Sequence, residues 1–218
     1  VLTAVRNANY EFIMIDVGAV GSQSDGGVFA ASEFGKMLHN NTLSLPTPTP
    51  LYPGGERLPF CFVGDEAFPL KANLLRPYAG RTQALPPEEN VYNYRLSRAR
   101  RTIENSFGIL AARWRIFHTP IKTLPKYIDY IIQAAVILHN FLRSKNCQKY
   151  CPPNYLDEEN TLGFWRNDVN MNSSAFQRCG PLSSNNRSFQ AGLVREKFKE
   201  YHLLGQCHGK KLERKEAS

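Results

Sequence analysis

No stretch of the chain is apolar for the roughly 20 residues that a membrane-spanning helix needs. The best run, Ile131 to Leu138, is short and falls inside an amphipathic pattern, so no membrane partner is expected. No secretory signal pattern opens the sequence. Cysteines are five, an odd number, and irregularly spaced: Cys61, Cys147, Cys151, Cys179 and Cys207. That argues against a disulfide-stapled scaffold. Cys147 and Cys151, with the distant Cys207 and His208, fit no standard zinc spacing, and two prolines follow Cys151. No internal repeat is found. Ser22 and Ser24 lack a nucleophile-elbow pattern and a partner base, which disfavours a serine hydrolase. Acidic residues are scarcest where basic ones crowd: between Asn90 and Ile128 the one acid is Glu104.

The 218 residues suffice for one domain with a real core, or for a domain plus a tail. Hydrophobic residues at 42% and charged residues at 21% are ordinary for a globular protein. The net charge of +8 favours polyanionic partners. The chain starts at Val1, not Met, inside what reads as a strand. The N-terminal part of a longer protein is therefore expected upstream.

Val1 to Val5 and Tyr10 to Val17 are rich in β-branched and aromatic residues and read as an antiparallel hairpin. The second strand is nearly all apolar through Ile15 and is expected to be buried on both faces. Ser24 or Asp25 is a natural N-cap for a helix reaching Asn40 and Asn41, with Val28, Phe29, Ser32, Met37 and Leu38 inward. Five prolines between Leu45 and Pro59 mark an exposed loop. Phe60 to Val63 reads as a buried strand ending at Gly64-Asp65.

The central helix follows, Asn93 to Trp114. Leu96, Ile103, Phe107, Leu110 and Trp114 make one stripe by spacings of three and four. Arg95, Arg98, Arg100, Arg101, Arg113 and Arg115 crowd the same stretch, and Arg100 and Arg101 lie four and three residues before Glu104. Pro125 suits a helix N1 position, opening a second amphipathic helix through Ile128, Ile132, Ala135, Leu138 and Leu142. His139 near its end reads as a structural residue bonded to its surroundings, and Trp114 as core. Beyond Lys145 the chain turns polar. Residues 146–218 are expected to be a loosely structured extension with one short helix near 191–201 and a solvated basic tail.

An acid at a strand end, Asp65, and an acid inside a later helix, Glu104, are oxygen donors suited to Mg²⁺ or Mn²⁺. Such ions activate a water and stabilise the leaving oxygen of a phosphodiester. Arg95, Arg98, Arg100 and Arg101 are then candidate contacts to the phosphate backbone of a polyanion. The plain alternative is a solvated basic face with one internal salt bridge.

Three stretches carry a resemblance. They are Phe62 to Leu70 (Phe-Val-Gly-Asp-Glu-Ala-Phe-Pro-Leu), Tyr92 to Ile116 with Arg-x-x-x-Glu104-x-x-Phe-Gly at its centre, and Ala134 to Phe141 with Leu-His-Asn. With the earlier Asp16 to Ser32, they resemble, in order, the catalytic domain of Harbinger-type transposases and the nuclease-like proteins derived from them. The resemblance covers about Val1 to Arg143. It implies an α/β, ribonuclease-H-like mixed sheet flanked by helices, with the opening strand missing, and a catalytic domain over residues 1–145. It implies a triad of two Asp and one Glu holding a divalent metal, with Asp65 second and Glu104 third. The first acid belongs on the opening strand, before this hairpin, and no residue here matches it. Asp16 is kept as an additional metal-proximal acid, and Asp25 as the N-cap. The implied activity is DNA cleavage by a nuclear protein, with cytoplasmic presence allowed, in an oligomer or beside a separate DNA-binding partner. The competing expectations are a domesticated, non-catalytic binding protein and an unproductive fragment. The aromatic pair and Trp expected near Tyr201 to Cys207 are replaced by His202-Leu-Leu-Gly-Gln-Cys-His.

Overall fold

The structure is a computed structural model and describes residues 2–18, 25–80, 82–170, 172–176 and 188–216. Gly21, Ser22, Ser24, Arg81 and Cys179, and the side chains of Asp25, Cys207 and His208, lie outside the described residues. In chain order the strands are β1 (Leu2–Arg6), β2 (Phe12–Val17), β3 (Thr49–Pro50), β4 (Arg57–Leu58), β5 (Phe62–Val63) and β6 (Leu74–Leu75). The helices are α1 (Asp25–Ala31), α2 (Glu33–His39), α3 (Pro87–Arg113), α4 (Pro125–Ser144), α5 (Trp165–Asp168) and α6 (Phe189–Glu216). This is a mixed α/β chain. Among the described residues the strands form three separate two-stranded sheets, β1-β2, β3-β4 and β5-β6, and only β5-β6 is parallel. One continuous mixed sheet is not formed among them. The contacts divide the chain into two compact units: Val1–Gly35 with Arg101–Gly180, and Lys36–Arg100 with Pro181–Ser218. Helix α3 contributes its first half to the second unit and its last half to the first.

In the first unit the expected hairpin forms, with Leu2 opposite Val17 and Thr3 opposite Asp16, and a bulge between Val5 and Arg6. Strand β2 is not buried on both faces: Phe12 is sealed, but Ile13 is half exposed. A two-stranded hairpin has one packed face only, so alternate residues meet solvent. The helix expected from Asp25 to Asn40 is broken into α1 and α2 at Ser32. The Ser32 hydroxyl donates to the Phe29 carbonyl at 2.6 Å and accepts from the Gly35 N–H at 2.9 Å, replacing the helical ladder there. A Cβ on Gly35 would sit 1.8 Å from the Phe29 carbonyl oxygen, so this crossing requires glycine.

The core of this unit is Phe12, Ile109, Leu110, Phe117, Ile132, Val136, Tyr150, Tyr155, Trp165 and Val169. Fully burying such a side chain contributes about 1.5–3 kcal/mol. Four of these lie beyond residue 145, which corrects the expectation of a loosely structured extension: residues 147–176 supply aromatic core. Their aromatics follow no regular period, so no amphipathic pattern announces them. In α3 the Leu96 and Leu110 positions are buried as expected. Ile103, Phe107 and, just past the helix, Trp114 are only partly so, whereas Asn105, Ser106 and Ile109, off that stripe, are sealed as completely as Leu110. Two of those three are polar and escape a hydrophobic reading.

In the second unit, Leu70, Leu75, Tyr78, Tyr92, Leu96 and Ala191 form a smaller core. The Tyr78 hydroxyl donates to Glu196 at 2.6 Å, which fastens α6 to the 76–80 connector. The run from Phe60 to Val63 is not a buried strand: β5 is only two residues long, with Phe62 half-buried and Val63 exposed, and Phe60 before it is exposed as well. Helix α6 reaches Glu216, well past the short helix expected near 191–201 and through the expected tail.

Candidate active site

In the second unit Asp65 follows β5 in a tight turn. Its Oδ1 accepts from the Ala67 N–H at 3.0 Å, and its carbonyl accepts from the Phe68 N–H at 3.2 Å. Arg76 braces the turn by donating to the Phe68 carbonyl at 3.2 Å. The second carboxylate oxygen, Oδ2, lies 3.6 Å from Nη2 of Arg100 on α3. Both side chains are about a third exposed, and a pair of this kind stabilises by about 0–1 kcal/mol. Arg98 lies over the Tyr94 ring. His202 is pushed below its ordinary range by burial and, secondarily, by the positive charge of Arg95. Asp65, Arg95, Arg98 and Arg100 thus all belong to this unit.

Glu104, Arg101 and Asp16 belong to the first unit. Arg101 donates to the carbonyls of Glu158 and Glu159 at 2.6 and 3.3 Å. It ties α3 to the 158–159 loop. One residue past Glu104, Asn105 is fully buried and hydrogen-bonded through both ends of its amide. Its Nδ2 donates to the Asp157 carbonyl at 3.0 Å, and its Oδ1 accepts from the Asp157 N–H at 3.0 Å and the Trp165 indole N–H at 3.1 Å. Burial pushes the Asp157 carboxyl up, but the Arg166 guanidinium and the Gly163 N–H outweigh it and hold the carboxyl below its ordinary range. Arg166 is raised chiefly by its hydrogen bond to Asp157, with Glu104 among the smaller causes. Three residues further on, a Cβ at Gly108 would sit 2.5 Å from the Trp165 ring, so the indole covers this turn of α3 directly. Phe107 packs against Phe12 and Phe176. Each residue around Glu104 in the Glu-Asn-Ser-Phe-Gly run is therefore held by packing or hydrogen bonds. The sequence reading missed Asn105, Asp157 and Arg166; the signal available was a polar residue placed inside the apolar stripe.

Leu-His-Asn has an equally definite use. His139 is fully buried. Its Nε2 meets the Tyr10 carbonyl at 2.8 Å and its Nδ1 meets the Tyr150 hydroxyl at 2.7 Å. A carbonyl only accepts, so Nε2 carries the hydrogen and Nδ1 accepts from the tyrosine. Burial lowers the His139 pKa to about 4, in keeping with a neutral ring. Asn140 accepts from the Phe12 N–H at 2.9 Å and donates to the Phe12 carbonyl at 2.7 Å. These residues fasten the hairpin to α4. Asp16 sits half-buried on β2 and lines, with Glu33, Phe34, Met14 and Thr3, a small, mostly apolar cavity of about 160 Å³. Cys147 and Cys151 are half-buried free thiols.

Residues 1–140 match the DDE superfamily endonuclease family. The chain belongs to this family. A protein of Arabidopsis thaliana called Protein ALP1-like is 31% identical to it over 143 residues, which cover 65% of this chain and 34% of that one. The chain therefore spans about a third of that relative's length. No solved structure gives a significant match. The family is the one that the motifs around Asp65, Glu104 and His139 lead one to expect, and nucleases of this superfamily generally work with divalent metals. Among the described residues no group of three or more His, Cys, Asp and Glu side chains is gathered closely enough to hold a metal ion. Mg²⁺, however, is usually held by one or two carboxylates together with substrate phosphates and water, not by a full protein cage. Asp65 and Glu104 are donors of that type, and Asp65 turns its Oδ2 toward a cation already, the guanidinium of Arg100.

Proposed function

We propose that this chain is part of the catalytic domain of a divalent-metal-dependent nuclease that cleaves DNA phosphodiesters, with a ribonuclease-H-like core. The carrying observation is the family match over residues 1–140, which contains both Asp65 and Glu104. In this reading those two carboxylates hold Mg²⁺ or Mn²⁺, with Asp16 as a further metal-proximal acid. The bound ion supplies an activated water and charge stabilisation at the leaving oxygen. Arg95, Arg98 and Arg100 receive the phosphate backbone, as the net charge of +8 favours. Arg100 also neutralises Asp65 before substrate arrives; the pair is long and exposed enough to open. Arg101 acts by positioning, since its guanidinium is engaged with the 158–159 carbonyls. A nuclear location and a separate DNA-binding partner follow from the same reading.

The test is nicking of supercoiled DNA with Mg²⁺ or Mn²⁺, comparing the wild type with Asp65→Asn and Glu104→Gln. Metal-dependent cleavage lost in both variants is the expected result. Cleavage that survives both substitutions, or salt-sensitive DNA binding with no cleavage under any divalent metal, refutes the nuclease reading.

A further inference from the structure

Helix α4 is apolar on two sides. One side is buried through Ile132, Ala135, Val136 and His139. The other carries Tyr127, Tyr130, Ala134, Ile137 and Phe141, spaced three, four, three and four residues apart, with Leu138 beside them. All six are exposed, Tyr130 at 70%, Ile137 at 66% and Phe141 at 55%. A helix that is apolar all round is normally a buried helix. Alternation of three and four is the spacing of a seam that packs against another helix. Between Lys126 and Arg143 the one ionised side chain is Asp129, and it is turned away. Its Oδ2 lies 3.9 Å from where a Cβ on Gly18, past the end of β2, would be.

We propose that this face is the interface of a homodimer, in which α4 packs antiparallel against α4 of a second copy about a two-fold axis beside Ala134. Two observations choose the occupant. The first is self-complementarity. An isologous contact needs one patch that fits itself. The small Ala134 stands at the centre, and bulky residues lie at matched distances on either side. With the axis there, Tyr127 meets Phe141 of the second copy and Tyr130 meets its Leu138 and Ile137. Helices approach most closely where the residue is small, so the large side chains interdigitate outside it. The second is area. Aromatic side chains bury about 150–250 Å² each. At the exposures given, the three aromatics and two aliphatics offer about 500–600 Å² per copy, or about 1,000–1,200 Å² in total, which reaches the ~1,000 Å² that a specific interface needs and fits a weak dimer at the low end of the range. The face also reaches the size of the largest apolar patch on a typical monomer, about 300–600 Å². The lysines sit at the rim: Lys126 covers the Tyr127 ring at 4.9 Å and Lys145 covers Phe141 at 5.9 Å. Across an antiparallel pair these like charges approach, so association tightens as salt rises, opposite to a contact driven by charge.

Sedimentation of the full 218-residue chain over a series reaching roughly 100 µM reads this directly, since a Kd near 10 µM falls within it. The expected result is a monomer–dimer equilibrium that Ile137→Asp and Phe141→Asp each weaken by about a hundredfold, as central anchors do. Both residues are exposed, so circular dichroism should show the fold intact. Ala134→Cys should give a disulfide-linked dimer on mild oxidation that the wild type, with its own cysteines, does not. A monomer throughout the series, a dimer indifferent to both substitutions, a dimer dissolved by salt, or no additional cross-link from Ala134→Cys overturns the proposal.

Discussion

Replacing Asn105 by alanine should be among the most damaging single changes in the chain, although the residue is polar and touches no substrate. Its amide makes three hydrogen bonds at 3.0–3.1 Å, two with the Asp157 main chain and one with the Trp165 indole. Asn105 is wholly buried, Trp165 is 2% exposed and Asp157 is 6% exposed. Removing the amide leaves two donors and one acceptor without partners. Each such buried group costs about 1–3 kcal/mol. Water entering the vacated space recovers part of that, which gives an expected loss of about 3–5 kcal/mol. Native domains hold only about 5–15 kcal/mol in total. The assay is urea unfolding followed by far-UV circular dichroism and by the fluorescence of Trp165, read in a Trp114→Phe background. Asn105→Leu separates the causes. It restores volume without restoring any hydrogen bond, so it should be as destabilising as alanine. A loss below about 1 kcal/mol for Asn105→Ala, the size of an ordinary surface change, refutes the reasoning. So does rescue by leucine, which would make the cost one of packing.

His139 predicts a pH dependence. Its pKa of about 4 in the fold lies below the 6.5 of a free histidine, so between those values the unfolded state binds more protons. The contribution is complete above pH 6.5 and is lost as pH falls toward 4, by up to about 3 kcal/mol; His139→Gln should flatten that part of the stability profile. Asn140→Ala should cost about 1–2 kcal/mol by freeing the N–H and carbonyl of Phe12, and hydrogen exchange should show lost protection in β1 and β2 before the rest of the unit.

The legible parts of the sequence were those with a local period. The hairpin, α3, and α4 with Pro125 at its start were readable because strands alternate and helices repeat within a few residues. The break at Ser32 was not, because it depends on a hydroxyl exchanging hydrogen bonds with the Phe29 carbonyl and the Gly35 N–H. The core role of Tyr150, Tyr155 and Trp165 was hidden for the opposite reason. These aromatics sit in polar, irregular sequence and are buried only because residues far away, Arg113 and Asn105 among them, meet their polar atoms and neighbours. At the candidate site, Asp65 and Glu104 were legible as acids in a basic setting, and their pairing with particular arginines was half legible. Arg100 was read as a neighbour of Glu104 by helical spacing, while its carboxylate partner in the fold includes Asp65.

If Glu104 is the metal-binding acid proposed above, the same contacts give the residues beside it a purpose. A carboxylate that binds a metal must point in one direction, and rotation of its helix by one residue would turn it by about 100°. The sequence around Glu104 opposes such rotation on three successive counts. Asn105 is locked to Asp157 and Trp165, the Ser106 hydroxyl lies 3.2 Å from the Tyr10 and Thr102 carbonyls, and Gly108 admits the Trp165 ring where any side chain would collide. Arg101, one turn earlier, adds a fourth tie through the 158–159 carbonyls. None of these residues needs to touch DNA. Together they fix the phase of α3, and with it the direction of Glu104. Under the proposed function, residues 155–166 thereby help to present the acid, although they lie outside the stretch that matches the family.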